Sequence, residues 1–235
     1  MTDLRELLVV TERHLPGFVF RTAPTDSLTT EDRQLLSELF DACFRQANQA
    51  HLEKLLGQLR SVSVALCDER PAGFTLSDVR IMDLPRLPGQ IVMLGGLTCV
   101  APEFQRRGLM IELARRNFIE STPRWSERAL FCVRYGHPAA FRAIVARSES
   151  GVPRPGVRPT VWQQEVGRVI ADAYGEETFD PETFVCKGAG TPIGYPVIDL
   201  EVEPLDWEVF RHVDRERGDS LLGIVWMPDA PPAWA

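Results

Sequence analysis

The sequence predicts an α/β fold in which helices flank a mixed central β-sheet. The apolar run "QIVMLGGLTCV" (90–100) has the composition of a strand that is buried on both faces. The segment "GLMIELARRNFIEST" (108–122) follows it with apolar residues at helical spacing. A further strand, "RALFCVRY" (128–135), and a further helix, "HPAAFRAIVARSE" (137–149), come next. Such alternation of strand and helix is typical of a crossover between parallel strands.

Helices and a hairpin are predicted before this core. Leucine and phenylalanine recur at helical spacing between residues 29 and 60, with Thr30 as the expected N-cap and a break expected near Asn48. The stretch "SVSVALCDERPAGFTLSDVRIM" (61–82) contains two β-rich runs joined by turn residues. We therefore expect two helical segments followed by a β-hairpin.

The C-terminal part of the chain predicts an insertion before the last strands of the sheet. A helix is expected at "TVWQQEVGRVIADAYG" (160–175), a loop at "EETFDPETFVCKGAGTPIGYP" (176–196) and an apolar strand at "SLLGIVWM" (220–227). The expectation is one domain over residues 1–235, divided into a core of about 18–150, an insertion of about 151–196, and C-terminal strands and a helix in 197–235.

Charge and hydropathy exclude some classes of function. The formal net charge of -7 argues against a nucleic-acid partner, because neutralising phosphates requires a basic face. The N-terminal segment has too short an apolar run for a signal peptide, and no apolar stretch reaches the roughly 20 residues that span a bilayer. We therefore expect a cytoplasmic protein with no membrane partner.

The cysteine pattern indicates neither a disulfide framework nor a metal site. The five cysteines are scattered, odd in number and without a C-x-x-C pair. Cys67, Cys99 and Cys132 lie inside apolar runs, where a buried, reduced thiol is expected. A nucleophilic cysteine would require a nearby base, and the sequence identifies none.

The motif "QRRGLM" (105–110) lies between the predicted strand and the predicted helix. The first turn of a helix has unpaired N–H groups and about half a positive charge, so it can bind an anion. Gly108 would let a ligand approach the backbone, and Arg106 and Arg107 add full charges. A pyrophosphate would fit there. The alternative is an ordinary strand-to-helix turn with two solvated arginines.

In its context, "VAPEFQRRGLM" resembles the acetyl-CoA signature of the GNAT N-acetyltransferase superfamily, whose phosphate loop is Q/R-x-x-G-x-G/A. The resemblance extends over residues 18–150, and Met110 departs from the pattern at the sixth position of the loop. The first five positions are matched by Gln105, Arg106, Arg107, Gly108 and Leu109.

The resemblance implies a GNAT-like fold that binds acetyl-CoA, or another acyl-CoA, between "LGGLTCV" and "ALFCVRY". In the family, backbone groups of the signature strand pair with pantetheine and polarise the thioester carbonyl. Thr98, Cys99 and Val100 take these positions here. The expected cofactor contacts are therefore Thr98, Cys99, Val100, Gln105, Arg106, Arg107, Gly108, Leu109 and Met110.

Acyl transfer to an amine requires a neutral amine, a polarised thioester and a proton for the leaving thiolate. Glu103 is the candidate base, and Tyr135 and His137 are the other catalytic candidates, because the tyrosine that the family often carries in its second crossover is absent. Each has a structural alternative. Glu103 could be a solvated loop acid, Tyr135 a packed ring, and His137 a helix cap.

Acidic residues dominate the stretch 172–208, in which Lys187 is the one basic residue. This acidic segment predicts either a surface that favours a cationic amine acceptor or a solvated acidic face. Its members are Asp172, Glu176, Glu177, Asp180, Glu182, Asp199, Glu201, Glu203, Asp206 and Glu208.

Together these observations predict an acyl-CoA-dependent N-acyltransferase that moves acetyl to a primary amine by direct attack in a ternary complex. The acceptor is expected to be a small molecule or a peptide, and a homodimer is compatible with the fold. Three alternatives stay open: a non-catalytic acyl-CoA sensor or scaffold, an acyltransferase for longer acyl-CoA, and another α/β fold in which the motif is accidental.

Overall fold

The computed structural model describes residues 15–124, 126–176, 178–198 and 207–234, apart from the side chain of Arg147. The described backbone divides into two units. The first takes in the residues up to Val79, those from Gly95 to Ser126, and the segment from Gly194 to Ile198. The second comprises the residues from Arg80 to Leu94, those from Glu127 to Ile193, and those after 206.

The described part of the chain contains five α-helices and ten strands, joined by turns and short 3₁₀ segments. In chain order they are β1 (Phe18–Pro24), α1 (Thr30–Cys43), β2 (Phe44–Arg45), α2 (Gln49–Gln58), β3 (Ser61–Cys67), β4 (Arg70–Leu84), β5 (Leu87–Val100), α3 (Leu109–Ser121), β6 (Ala129–Tyr135), α4 (Pro138–Ile144), α5 (Val161–Ala173), β7 (Phe179–Asp180), β8 (Val185–Cys186), β9 (Tyr195–Pro196) and β10 (Ser220–Met227).

In the first unit the strands lie in the order β1-β3-β4-β5, and the pairs β1–β3 and β3–β4 are antiparallel. The helix α3 packs on β3 and β4, where Leu113 lies beside Gly73 and Asn117 accepts a hydrogen bond from Ser77. A separate two-stranded sheet joins β2, at the junction of α1 and α2, to β9.

In the second unit the order is β5-β6-β10-β8-β7, and β10 is antiparallel to both β6 and β8. All eight residues of β10 are buried. Its sequence, "SLLGIVWM", is accordingly a continuous apolar run rather than an alternating one, as expected for a strand that is buried on both faces.

The predicted α/β class is confirmed, with a large, mostly antiparallel sheet flanked by helices. The predicted break near Asn48 is also confirmed, since Asn48 caps α2 through its side chain. The predicted N-cap was wrong by one residue. Thr29, not Thr30, caps α1, because its hydroxyl accepts from the Asp32 amide at 3.1 Å while the Asp32 carboxylate accepts from the Thr29 amide.

The predicted loop at 176–196 was also wrong, because it contains β7, β8 and β9. Each of these strands is only two residues long, too short to produce a recognisable alternation of apolar and polar residues. Their partners are distant in sequence: Val185 pairs with Leu221 and Tyr195 with Arg45. These strands therefore form because they pair with residues distant in sequence, and not because of their local sequence. Among the described residues, no helix is both long and apolar enough to cross a membrane.

Trp234 anchors the C-terminal residues in the core of the second unit. It is 1% exposed, and its ring contacts those of Trp162 and Trp226 edge to face, with centroids 5.3 and 5.7 Å away. The indole N–H donates to the Ser150 carbonyl at 2.8 Å, and Gln163 donates to the Trp234 carbonyl at 2.6 Å. This combination of burial and hydrogen bonds indicates a large contribution to stability.

Replacing Trp234 by Ala should lower the free energy of unfolding by about 3–5 kcal/mol, because it leaves a cavity and removes the indole donor to the Ser150 carbonyl. Urea denaturation followed by circular dichroism measures the change. Trp207→Ala is the matched control, since Trp207 is 37% exposed. Equal effects of the two substitutions would contradict the assignment of Trp234 as an anchor.

Candidate functional site

The loop that joins β5 to α3 has two residues in the left-handed backbone region. The 3₁₀ turn Pro102–Phe104 ends the strand, Arg106 follows with φ +64°, and Gly108 has φ +81° at the N-cap of α3. Gly108 adopts this conformation without steric cost, whereas Arg106 does so at a cost of about 1 kcal/mol or more. The two positions turn the chain sharply into the helix.

This turn leaves the first amides of α3 directed away from the helix. The first helical hydrogen bond runs from the Glu112 amide to the Gly108 carbonyl, at 3.1 Å. The amides of residues 109–111 therefore have no acceptor within the helix, and Gly108 has no side chain with which to cap them. Together with the helix dipole, these three amides form a donor set suited to an anion.

Two exposed arginines border these amides. The guanidinium of Arg107 lies 5.6 Å from the centroid of the Phe104 ring, which is 3% exposed. Stacking on a fixed ring limits the conformations of a long side chain and so reduces the entropy lost when it binds a ligand. Arg106 is also exposed, at the left-handed position of the loop.

Gln105 holds the loop through its side-chain amide. That amide donates to the Val100 carbonyl at 3.2 Å and to the Val197 carbonyl at 2.8 Å. It therefore ties the end of β5 to the segment 194–198, which the Val197 amide also links to the end of α1 by donating to the Cys43 carbonyl at 2.7 Å. The sequence alone did not identify this connection, because residues 105 and 197 are far apart in the chain.

A buried carboxylate lies one turn into α3. Glu112 is 1% exposed and accepts hydrogen bonds from Arg115, at 2.8 and 2.9 Å, and from Arg116, at 2.6 Å. Burial opposes its ionisation, but the two guanidinium groups outweigh burial and hold its pKa below the usual range. The negative charge near the anion donors is thus neutralised within the helix itself.

The three predicted pantetheine-contacting residues lie at the end of β5. The hydroxyl of Thr98 shares a hydrogen bond of 2.7 Å with that of Thr75, and the Cys99 thiol, 1% exposed, lies beside that of Cys43. Both side chains thus have partners inside the first unit. Any contact that these residues make with a ligand through their backbone is independent of those side-chain contacts.

Among the predicted catalytic residues, Glu103 lies in the 3₁₀ turn before the loop and is exposed. Tyr135 ends β6 in the second unit and is 4% exposed. Its ring packs edge to face on Phe141 and over Gly223, where an added Cβ would lie 2.6 Å from the ring. Burial, with Cys132 nearby, raises the pKa of Tyr135, which keeps its hydroxyl protonated.

His137 is the N-cap of α4, also in the second unit. Its Nδ1 accepts a hydrogen bond from the Ala139 amide at 3.2 Å, and its ring packs edge to face on Trp207. Burial, followed by the charge of Arg215, lowers its pKa to about 4. The imidazole is therefore neutral at pH 7, and with Nδ1 accepting, Nε2 carries the proton.

Several members of the acidic segment already have partners. Glu176 pairs with Arg134 and Glu182 with Arg158, so their counter-charges come from outside the segment. Asp180 accepts from the Thr183 hydroxyl at 2.8 Å within a turn. Five other members lie outside the described residues: Glu177, Asp199, Glu201, Glu203 and Asp206. Among the described residues, no group of three or more His, Cys, Asp or Glu could hold a metal ion.

No protein-family model matches the sequence, and a search of curated proteins finds no match. Among solved structures, the chain is similar to the GCN5-related glucosamine N-acetyltransferase region of a fungal multi-domain GH3 β-N-acetylglucosaminidase, with 15% identity over 51% of this chain and 13% of that chain and a TM-score of 0.35.

The chain is also similar to the ribosomal-protein-S18-alanine N-acetyltransferase from Escherichia coli, with 12% identity, 92% and 98% of the two chains covered, and a TM-score of 0.42. A third similar structure is the NatC complex bound to Gag peptide and CoA, with 13% identity, 54% and 71% coverage, and a TM-score of 0.37. The first two of these structures are named as N-acetyltransferases, and the third contains CoA.

The imidazole of His137 should titrate with a midpoint near pH 4 rather than at its usual value near 6.5. Between these two pH values the unfolded chain binds the proton and the native chain does not, so stability should fall as the pH falls from about 6.5 towards 4. Histidine ring NMR and urea denaturation at several pH values measure both effects.

His137→Asn is the matched variant, because asparagine also accepts the N-cap hydrogen bond but does not titrate. It should remove the contribution of residue 137 to the pH dependence while leaving the helix cap in place. A ring resonance of His137 that titrates near pH 6.5 would contradict the buried, neutral assignment.

Proposed function

We propose that the chain is an acyl-CoA-dependent N-acyltransferase that transfers acetyl from acetyl-CoA to a primary amine. The observation that carries the proposal is the donor set at the start of α3: three unpaired helix amides after a left-handed Gly108, beside the exposed Arg106 and Arg107. The apolar strand β5 leads directly into this loop. A pyrophosphate linked to an uncharged pantetheine arm matches this sequence of an apolar strand and an anion-binding turn.

The residues present fit this cofactor. In the proposed complex the amides of Leu109 and Met110 and the guanidinium groups of the loop hold the pyrophosphate, while Gln105 keeps the loop in place. Backbone groups of Thr98, Cys99 and Val100 bind the pantetheine arm and polarise the thioester carbonyl. Acetyl-CoA supplies the activated thioester, and the protein positions it.

The state of the cysteines supports direct transfer rather than an acyl-enzyme. Burial, together with the neighbouring Cys43 thiol, raises the pKa of Cys99, and burial raises that of Cys132. Burial also raises the pKa of Cys186 to about 12. Since the thiolate is the nucleophile, three thiols that stay protonated at neutral pH are poor acyl acceptors. We therefore propose attack by the amine itself in a ternary complex.

The candidate catalytic groups differ in whether they can accept a proton or donate a hydrogen bond at neutral pH. Glu103 is an exposed carboxylate and could accept the amine proton through water. Tyr135 stays protonated, and His137 is neutral with its proton on Nε2, so each can donate a hydrogen bond at neutral pH but does not readily give up its proton. We propose Glu103 as base and Tyr135 or His137 as hydrogen-bond donor to the leaving thiolate, which takes its proton from water.

The proposed acceptor is a small-molecule or peptide amine, and the acidic segment would favour a cationic one. The proposal keeps the expected organisation of one domain, with a core of about 18–150, an insertion of about 151–196 and a C-terminal part from 197 to 235. A longer acyl donor and a non-catalytic acyl-CoA sensor are the alternatives that experiment distinguishes.

Gly108→Glu should abolish binding of acetyl-CoA, because it places a carboxylate in the anion site and strains a backbone with φ +81°. Calorimetric titration should show at least a tenfold loss of affinity, which corresponds to about 1.4 kcal/mol. Gly156→Glu is the matched control, since Gly156 also has positive φ and is exposed, with nothing near its Cβ position.

The parent chain should release thiol from acetyl-CoA when a primary amine is added, and turnover with any amine excludes the sensor alternative. Comparing the rates of thiol release from acetyl-CoA and from octanoyl-CoA shows whether the protein prefers the acetyl group or a longer acyl group. A folded protein that binds neither acetyl-CoA nor octanoyl-CoA would overturn the proposed function. A Gly108→Glu variant with unchanged affinity for acetyl-CoA would also overturn it.

Intact mass spectrometry of the protein incubated with acetyl-CoA alone should show no acetyl adduct, because the buried thiols are protonated. Cys99→Ala should retain amine-dependent turnover, apart from any loss of stability caused by the missing sulfur. An adduct that forms on the parent chain and disappears in Cys99→Ala would show that transfer proceeds through an acyl-enzyme.

A further inference from the structure

A third arginine lies beside the loop, although it belongs to a different part of the sequence. The guanidinium of Arg70, at the start of β4, is 5.7 Å from the centroid of the Phe104 ring. Arg107 lies 5.6 Å from the same centroid. The ring is fixed, because Phe104 is buried and packs edge to face on Phe18 at 5.6 Å. One aromatic side chain thus holds two cations from two segments of the chain.

The backbone independently places Arg70 near the loop. The Ala101 amide donates to the Ala72 carbonyl at 2.9 Å, and a Cβ on Gly73 would lie 2.6 Å from the Cys99 carbonyl oxygen. The start of β4 therefore runs directly alongside the end of β5. Since Arg70 precedes Ala72 by two residues, its position beside the turn that follows β5 is set by strand pairing as well as by its side chain.

These two guanidinium groups are exposed and available for a ligand. Among the described residues, neither Arg70 nor Arg107 forms an ion pair with a carboxylate, although Asp68 and Glu69 precede Arg70 in the same turn. Two guanidinium groups beside one ring, neither of them in an ion pair within the described part of the chain, repel each other, in a chain whose acidic residues outnumber its basic ones by 33 to 26. A bound dianion would remove this repulsion.

We propose that Arg70 and Arg107, held on Phe104, bind the 3′-phosphate of the acyl-CoA and so distinguish CoA from its 3′-dephospho form. This inference rests on the proposed function and goes beyond it, because it adds Arg70 to the site and lets Arg107, which lies beside the pyrophosphate in the proposed complex, contact the 3′-phosphate as well. A terminal phosphate monoester carries nearly two negative charges at neutral pH, whereas each phosphate of a pyrophosphate diester carries one. Arginine binds such a group through two parallel N–H donors.

Calorimetric titration with CoA and with 3′-dephospho-CoA tests the proposal. The parent chain should bind CoA about fivefold more tightly, as expected for exposed charge pairs. Arg70→Ala should lose part of this preference, because Arg107 remains, and should leave the affinity for 3′-dephospho-CoA unchanged. Arg70→Lys should recover part of the preference, because it retains the charge without the planar fork.

Arg128→Ala is the matched control, since Arg128 is also exposed and lies 5.6 Å from the centroid of a buried ring, that of Trp226. It should keep the preference of the parent chain for CoA. Circular dichroism and thermal unfolding establish that each variant is folded before it is titrated.

The outcomes separate this inference from the proposed function. Equal binding of both ligands by the parent chain would overturn the role of Arg70 and leave the proposed function intact, as would an Arg70→Ala variant that loses affinity equally for both. Binding of neither ligand by the folded parent chain would overturn both.

Discussion

The packing of α3 on β3 and β4 determines what its N-terminus can do. Leu113 fits beside Gly73 because that glycine has no side chain, and Asn117, fully buried, accepts the hydroxyl of Ser77. These contacts fix the axis of the helix. The amides of its first turn therefore have a fixed direction before any ligand binds, which reduces the cost of ordering them. The buried and neutralised Glu112 completes this arrangement one turn further along.

Much of the fold could be predicted from the sequence, because the longer elements carry strong periodic signals. The run "SLLGIVWM" predicted β10 at its observed bounds, and the helix predicted over 108–122 is observed as Leu109–Ser121. The two-residue strands β7, β8 and β9 could not be predicted, because partners distant in sequence create them. The choice of Thr29 over Thr30 as N-cap depended on the reciprocal bond with Asp32.

The candidate site was predictable in part. The motif predicted an anion-binding loop, since a glycine and two arginines before an amphipathic helix are adjacent in sequence. The Gln105 bridge to Val197 and the placement of Arg70 on Phe104 depend on strand pairing, which the motif does not encode. The acid and base groups stay predictions, because proton transfer depends on distances to a substrate rather than on residue type.

Gln105 also gives the loop a thermodynamic connection to the segment 194–198. A single amide group bonds the end of β5 and the Val197 carbonyl, so the conformational freedom of the loop and that of the segment 194–198 are restricted together. A ligand that orders one of them lowers the entropy cost of ordering the other, and this coupling is the same in both directions. Cooperativity between two ligands can arise here without any change in average structure.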